Sequence, residues 1–179
     1  MPQWGSAFLP VLTPLLSNGL ARGDILTFDP HAQNEAFNNT ANSYVYEALL
    51  NLNKGKVQPC LAESWTSVPE GFVFKLRKGV KFHEEEPLTA EDVAFSINRA
   101  LHPISQFKTF TAGILGAEAL PNGDVLIRTI NHSPVLLNQL AYLRILNKAW
   151  AEKHGAAAPQ NFVAKEEAYL SLIHISEPT

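Results

Sequence analysis

The chain of 179 residues carries a formal net charge of −3, and its 14 Lys and Arg are scattered, which leaves no clustered basic surface for nucleic acid or an anionic membrane. With 46% hydrophobic and 17% charged residues the composition is globular, and no apolar run reaches the ~18 residues that span a bilayer. The single cysteine, Cys60, can form no internal disulfide, so it gives no reading of the redox compartment.

Phe8 to Leu16 (FLPVLTPLL) resembles the apolar core of a secretory signal. No Lys or Arg precedes it and two prolines interrupt it, so residues 1–21 read either as signal-like or as a non-native start. Asp24 to Phe28 predicts a strand that Asp29-Pro30 turns into a loop, because a residue before proline is pushed out of the α region. Asn38 to Asn51 predicts a helix, with Tyr44 and Ala48, then Val45 and Leu49, at helical spacing. Residues 52–82 read as short strands separated by turns at Asn53 to Lys56, Pro69 to Gly71 and Lys78-Gly79. Phe72, Phe74 and Leu76 alternate with Val73, Lys75 and Arg77, the period of a half-buried strand.

Thr89-Ala90-Glu91-Asp92 opens a second helix. The Thr89 hydroxyl can accept from the Asp92 amide, and Val93, Ile97 and Leu101 form its buried stripe up to His102-Pro103. Leu115 to Leu120 and Val125 to Ile130 flank Asn122-Gly123, a hairpin signal. Ser133-Pro134 begins a helix to about Tyr142, with proline in the first turn. Leu143 to Leu146 is short and apolar, and Ala149 to His154 predicts a helix that Gly155 ends. The last ten residues, LSLIHISEPT, read as the in-frame translation of a sequencing adapter, although SLIHIS also alternates like a strand. The whole is mixed α/β.

Several residues invite chemistry. Asp29 and His31 could suggest a metal or catalytic pair, but a strand-ending turn accounts for them. His83 to Glu86 are consecutive and do not converge as metal ligands do, so they read as a solvated acidic turn. Cys60 reads as a small buried hydrophobe, and Trp65 and Trp150 as packing residues. No activated nucleophile, phosphate loop, paired-carboxylate motif or metal spacing is present, which argues against an enzyme and implies no cofactor.

The stretches LTFDPH (Leu26 to His31), YEALL (Tyr46 to Leu50), VQPCLAESW (Val57 to Trp65), FVFKLRKGVKFH (Phe72 to His83), LTAEDVAFSINRA (Leu88 to Ala100) and VLIRT (Val125 to Thr129) together resemble the family-five extracellular solute-binding proteins. These serve ABC importers of peptides or nickel. One departure is Glu84-Glu85-Glu86, where members carry a glycine-containing turn. The resemblance implies a periplasmic-binding-protein type II-like fold that closes between two lobes. It divides this chain into the start of lobe I (22–50), an extra subdomain of that lobe (51–146), a return toward lobe I (147–169) and the adapter-like end (170–179). The second lobe is missing. The implied function is non-enzymatic: a periplasmic protein that binds a peptide and docks on ABC permease subunits, without a membrane span of its own. A nickel or other small-solute binder, and a non-functional truncated product, are the alternatives.

The resemblance also implies ligand contacts. Ala36 and Phe37 lie in the loop where peptide-binding relatives hold ligand by main-chain bonds. Phe107 and Phe110 follow the Thr89 helix, where relatives reach an aromatic toward ligand. Arg144 stands in the apolar run Tyr142 to Leu146, where an unpaired cation is unusual, and it could grip a carboxylate through a two-pronged contact. An exposed strand position or an internal salt bridge is the bland reading.

Overall fold

The computed structural model describes residues 27–83, 85–131, 133 and 135–161. In chain order these form α1 (Ala36–Ser43), β1 (Leu50–Asn53), β2 (Lys56–Pro59), β3 (Ala62–Val68), β4 (Gly71–Leu76), α2 (Ala90–Ala100), β5 (Ile114–Ala119), β6 (Val125–Thr129), α3 (Val135–Leu140) and α4 (Lys148–Lys153). The expected strand at 24–28 falls mostly outside them, and its described end, Thr27 and Phe28, is buried loop. The signal-like and adapter-like segments also lie outside the described residues.

One antiparallel sheet, ordered β3-β4-β6-β5, is the scaffold. Its alternation follows the sequence period. Phe72 and Phe74 on β4, and Val125 and Ile127 on β6, are buried. On exposed positions, Lys75 pairs with Glu63 at 2.6 Å and Arg128 with Glu118 at 2.7 Å. α2 lies against β5 and β6, adding Val93, Ile97 and Ala100 to the same core. Thr89 and Asp92 close the expected capping box at its start, which satisfies two amides that the helix leaves free. The second, two-stranded sheet is the β1–β2 hairpin, pairing Leu52 with Val57 across Lys54-Gly55.

The first helix departs from expectation. It begins two residues earlier, at Ala36, and stops at Ser43. Its sequence, AFNNTANS, is rich in poor helix formers. The following Ala48, Leu49 and Leu50 are all fully buried. Three consecutive buried residues do not fit one helical face, so the apolar spacing at 44–49 reflects burial of an extended segment.

Two turns carry unusual backbone. Glu85, in the acidic stretch where glycine was expected, has φ of +68°, a region that L side chains enter at a cost of about 1–2 kcal/mol. At Gly71, where β3 turns into β4, a Cβ would lie 2.1 Å from the Ile127 carbonyl oxygen of β6. Gly71→Ala is therefore expected to destabilise the fold by about 2 kcal/mol or more, read by urea denaturation. A loss under about 0.5 kcal/mol would show that β4 and β6 can part there without harm.

Candidate ligand-facing site

The site rests on a buried ion pair. Asp29 and Arg99 are fully buried. Arg99 Nη1 donates to Asp29 Oδ1 at 2.8 Å, and Nη2 donates to Oδ2 at 2.7 Å. The carboxylate also accepts from the backbone amides of His31 at 3.0 Å and Gln160 at 2.7 Å. The rest of the guanidinium donates to the carbonyls of Ala156 and Ala158 and to His31 Nδ1. Burial alone pushes the Asp29 carboxyl up, but Arg99 and the neighbouring amide outweigh it and hold it below its ordinary value.

His31 extends this network. Arg99 can only donate, so His31 Nδ1 must accept, and the ring proton sits on Nε2. From there it is donated to the Arg144 carbonyl at 3.0 Å. Burial, then the Arg99 charge, push the imidazole down to about 3, so it is neutral. The His31 carbonyl accepts from the Gln106 amide and the Ser105 hydroxyl, drawing in the loop after α2.

Rings lead outward from this centre. His31 meets Phe107 edge-on, with centroids 5.9 Å apart. Phe107 contacts Phe110 at 5.5 Å, and Phe110 stacks on Tyr142 at 4.7 Å. Tyr142 is 40% exposed. Next to it, Arg144 is held by its backbone: it bridges Ala48, and the Ile145 amide donates to Glu47. The Arg144 side chain is half-buried and has no acidic partner among the described residues. Burial pushes its pKa down, while Cys60 and Tyr142 nearby act in the opposite direction.

Of the five expected contacts, Phe110 and Arg144 come together through Tyr142. Phe107 does not reach the surface: at 1% exposure its ring is a wedge between His31 and Phe110, and it serves as core. Ala36, exposed, and Phe37, half-buried, open α1, and no hydrogen bond or ring contact among the described residues joins them to the Arg144 group. Arg99 and Tyr142 were missed from the sequence. The signal for Arg99 is its spacing: Asp92, Ser96 and Arg99 form a buried polar stripe along α2. A separate cavity of about 440 Å³ opens between Tyr44, Tyr46, Glu47, Phe82, Leu146 and Trp150, and holds none of the five. Among the described residues no three His, Cys, Asp or Glu gather as metal ligands, and no helix is long and apolar enough to cross a membrane.

Residues 56–166 match the family described as bacterial extracellular solute-binding proteins, family 5, middle part. The chain belongs to this family. Its members are non-enzymatic substrate-binding components of transporters. The chain is similar to heme-binding protein A of Haemophilus influenzae, with 38% identity over 42% of this chain and 16% of that protein. It is also similar to the glutathione-binding protein GsiB of Escherichia coli K12, with 29% identity over 72% of this chain and 27% of that one. Among solved structures, the solute-binding protein MoaA of A. tumefaciens R10 in complex with mannopinic acid matches with a TM-score of 0.66 and 32% identity, over 74% of this chain and 29% of that one. The chain thus spans less than a third of the length of these relatives.

Removing one partner of a buried pair leaves the other charge uncompensated. Arg99→Ala is expected to lower the unfolding free energy by about 3–5 kcal/mol, measured by urea denaturation; a change below about 1 kcal/mol would contradict this account. Acid should act through His31. Its folded pKa lies below the ordinary 6.5, so the unfolded chain takes up a proton that the folded chain refuses. Stability is complete above about pH 6.5 and falls as pH drops toward about 3, by up to about 1.4 kcal/mol per pH unit. Asp29, whose pKa is also depressed, adds to the loss below its ordinary 3.8. Denaturation curves at pH 7.5, 6 and 4.5 check this, and no loss between the first and last would contradict it.

Proposed function

We propose that this chain is part of a binding protein that captures a carboxylate-bearing solute outside the cytoplasmic membrane and delivers it to ABC permease subunits, with a peptide as first choice. The observation that carries the reading is Arg144, a half-buried cation without an acidic partner among the described residues. A guanidinium in that state favours a planar, bidentate anion from outside the chain. The Phe110–Tyr142 stack beside it offers an apolar face for the rest of the solute.

The relatives bind varied solutes by name: heme, glutathione and mannopinic acid. These differ in size, charge and shape, but each carries a carboxylate. A site selecting that shared group supports the peptide reading and admits a metal chelate as the alternative. In this reading residues 22–50 begin the first lobe, 51–146 form its extra subdomain and 147–169 return toward it. The opposite wall of the cleft then belongs to the length of the relatives that this chain does not span.

An NMR titration of the chain with glutathione tests the reading. The wild type should show saturable shifts around Tyr142 and Arg144, and Arg144→Gln should weaken binding about tenfold or more. Glutathione dimethyl ester, with both carboxylates masked, should bind as poorly as the variant encounters free glutathione. Equal binding of the ester to the wild type would overturn the role of Arg144.

A further inference from the structure

Three features lie outside the proposed contact. The cavity beside Trp150 mixes apolar walls with Glu47, Lys81, Glu86 and Asn147 and singles out no one class of ligand, and Cys60 is a lone free thiol with a long contact to Glu47. The third is His31, which touches no surface yet bonds the main chain of Arg144. It carries the inference.

We infer that His31 is a positioning residue for Arg144, its neutral Nε2–H form setting where the guanidinium stands. This rests on the reading of Arg144 as a carboxylate contact. The geometry leaves one tautomer. Arg99 Nη1 lies 3.0 Å from His31 Nδ1, and the Arg144 carbonyl lies 3.0 Å from Nε2. A guanidinium offers only hydrogens and a carbonyl offers only lone pairs, so the ring must accept on one side and donate on the other. A proton on Nδ1 would face Arg99 and would leave no acceptor for its N–H.

The segment around Arg144 is tied on both sides of it: the Ile145 amide donates to the Glu47 carbonyl in the bridge between Ala48 and Arg144, and the Leu146 and Lys148 amides donate to Ser96 and Asp92 of α2. The bond from His31 Nε2 falls on the Arg144 carbonyl itself. The imidazole therefore restrains the peptide plane that follows the Arg144 Cα, and with it the direction in which the side chain leaves the main chain. His31 is itself fixed by its own fully buried surroundings. The charged groups facing it are Asp29 in its own loop and Arg99 from α2; the loop after α2 presents Phe107, the Ser105 hydroxyl and the Gln106 amide. A preorganised contact of this kind requires a supporting shell that is itself locked.

The test combines a spectrum with two substitutions. In the wild type, long-range proton–nitrogen NMR should find the His31 proton on Nε2; finding it on Nδ1 overturns the proposal without any variant. The second part reads glutathione affinity by NMR titration. His31→Asn places its amide near Nδ1 and cannot reach the Arg144 carbonyl, so binding should weaken about tenfold. His31→Gln extends to the Nε2 position and should recover binding to within about threefold of the wild type. Weak binding by His31→Asn with rescue by Gln supports positioning. If Arg144→Gln loses binding while His31→Asn binds as the wild type does, the positioning role falls and the Arg144 reading stands. If the wild type does not bind, or Arg144→Gln binds equally well, the Arg144 reading falls and takes this proposal with it. Should His31→Asn fail to fold, the tautomer and the Gln variant decide, and tenfold weakening by folded His31→Gln counts against it.

Discussion

Arg99 finds an acceptor for each of its five N–H groups: two on Asp29, one on His31 and one each on the carbonyls of Ala156 and Ala158. A guanidinium out of water is tolerated only when it is satisfied in this way. The requirement works in both directions. Because Arg99 sits at the end of α2, three separate segments must come to it: the Asp29–His31 loop, the residues after α4, and through His31 the segment around Arg144. Hydrophobic burial holds the sheet to α2, but it is non-directional. The directional bonds of this one cation determine where the loops around the sheet end up.

The rest of α2 repeats the device. Asp92, besides capping its own helix, accepts from the Lys148 amide at 2.8 Å. Ser96 donates to the Asp92 carbonyl and accepts from the Leu146 amide at 2.8 Å. These two residues and Arg99 therefore tie residues 144–148 to the helix at three heights, the last by way of His31. α2 has an apolar face for the sheet and a polar buried face for the chain's irregular parts. The family membership accords with such a frame, since a binding surface is best built from loops held on a rigid scaffold.

What the sequence disclosed follows from range. The β4 alternation, the Lys54-Gly55 and Asn122-Gly123 turns, the Thr89 capping box and the helix before Gly155 depend on neighbours within a few residues, and each was legible. The helix over 38–51 failed because its apolar spacing came from tertiary burial of Ala48 to Leu50. Asp29 and His31 were rightly read as a turn, but their partner lay seventy positions away and nothing local announced it. For the site, Arg144 stood out because a cation in an apolar run is conspicuous, and the resemblance drew attention to Phe110. Tyr142 and the inward turn of Phe107 were illegible, because an aromatic side chain looks the same in a sequence whether it faces core or solvent.

Gln160 donates its amide to Asp29, and Thr27 donates its hydroxyl to the Gln160 side chain, across separations of 131 and 133 residues. The two ends of the described chain thus close a ring around everything between them. The hairpins of the sheet can form from nearby segments at small entropic expense, whereas this contact must bring together the most distant parts of the chain. The Asp29 loop cannot complete its bonds until residue 160 has been brought to it. Its carboxylate and the Arg99 guanidinium remain hydrated in the meantime. Assembly of the charged centre is therefore a late step in folding, and the Arg144 segment that bonds to His31 acquires its final position only with it.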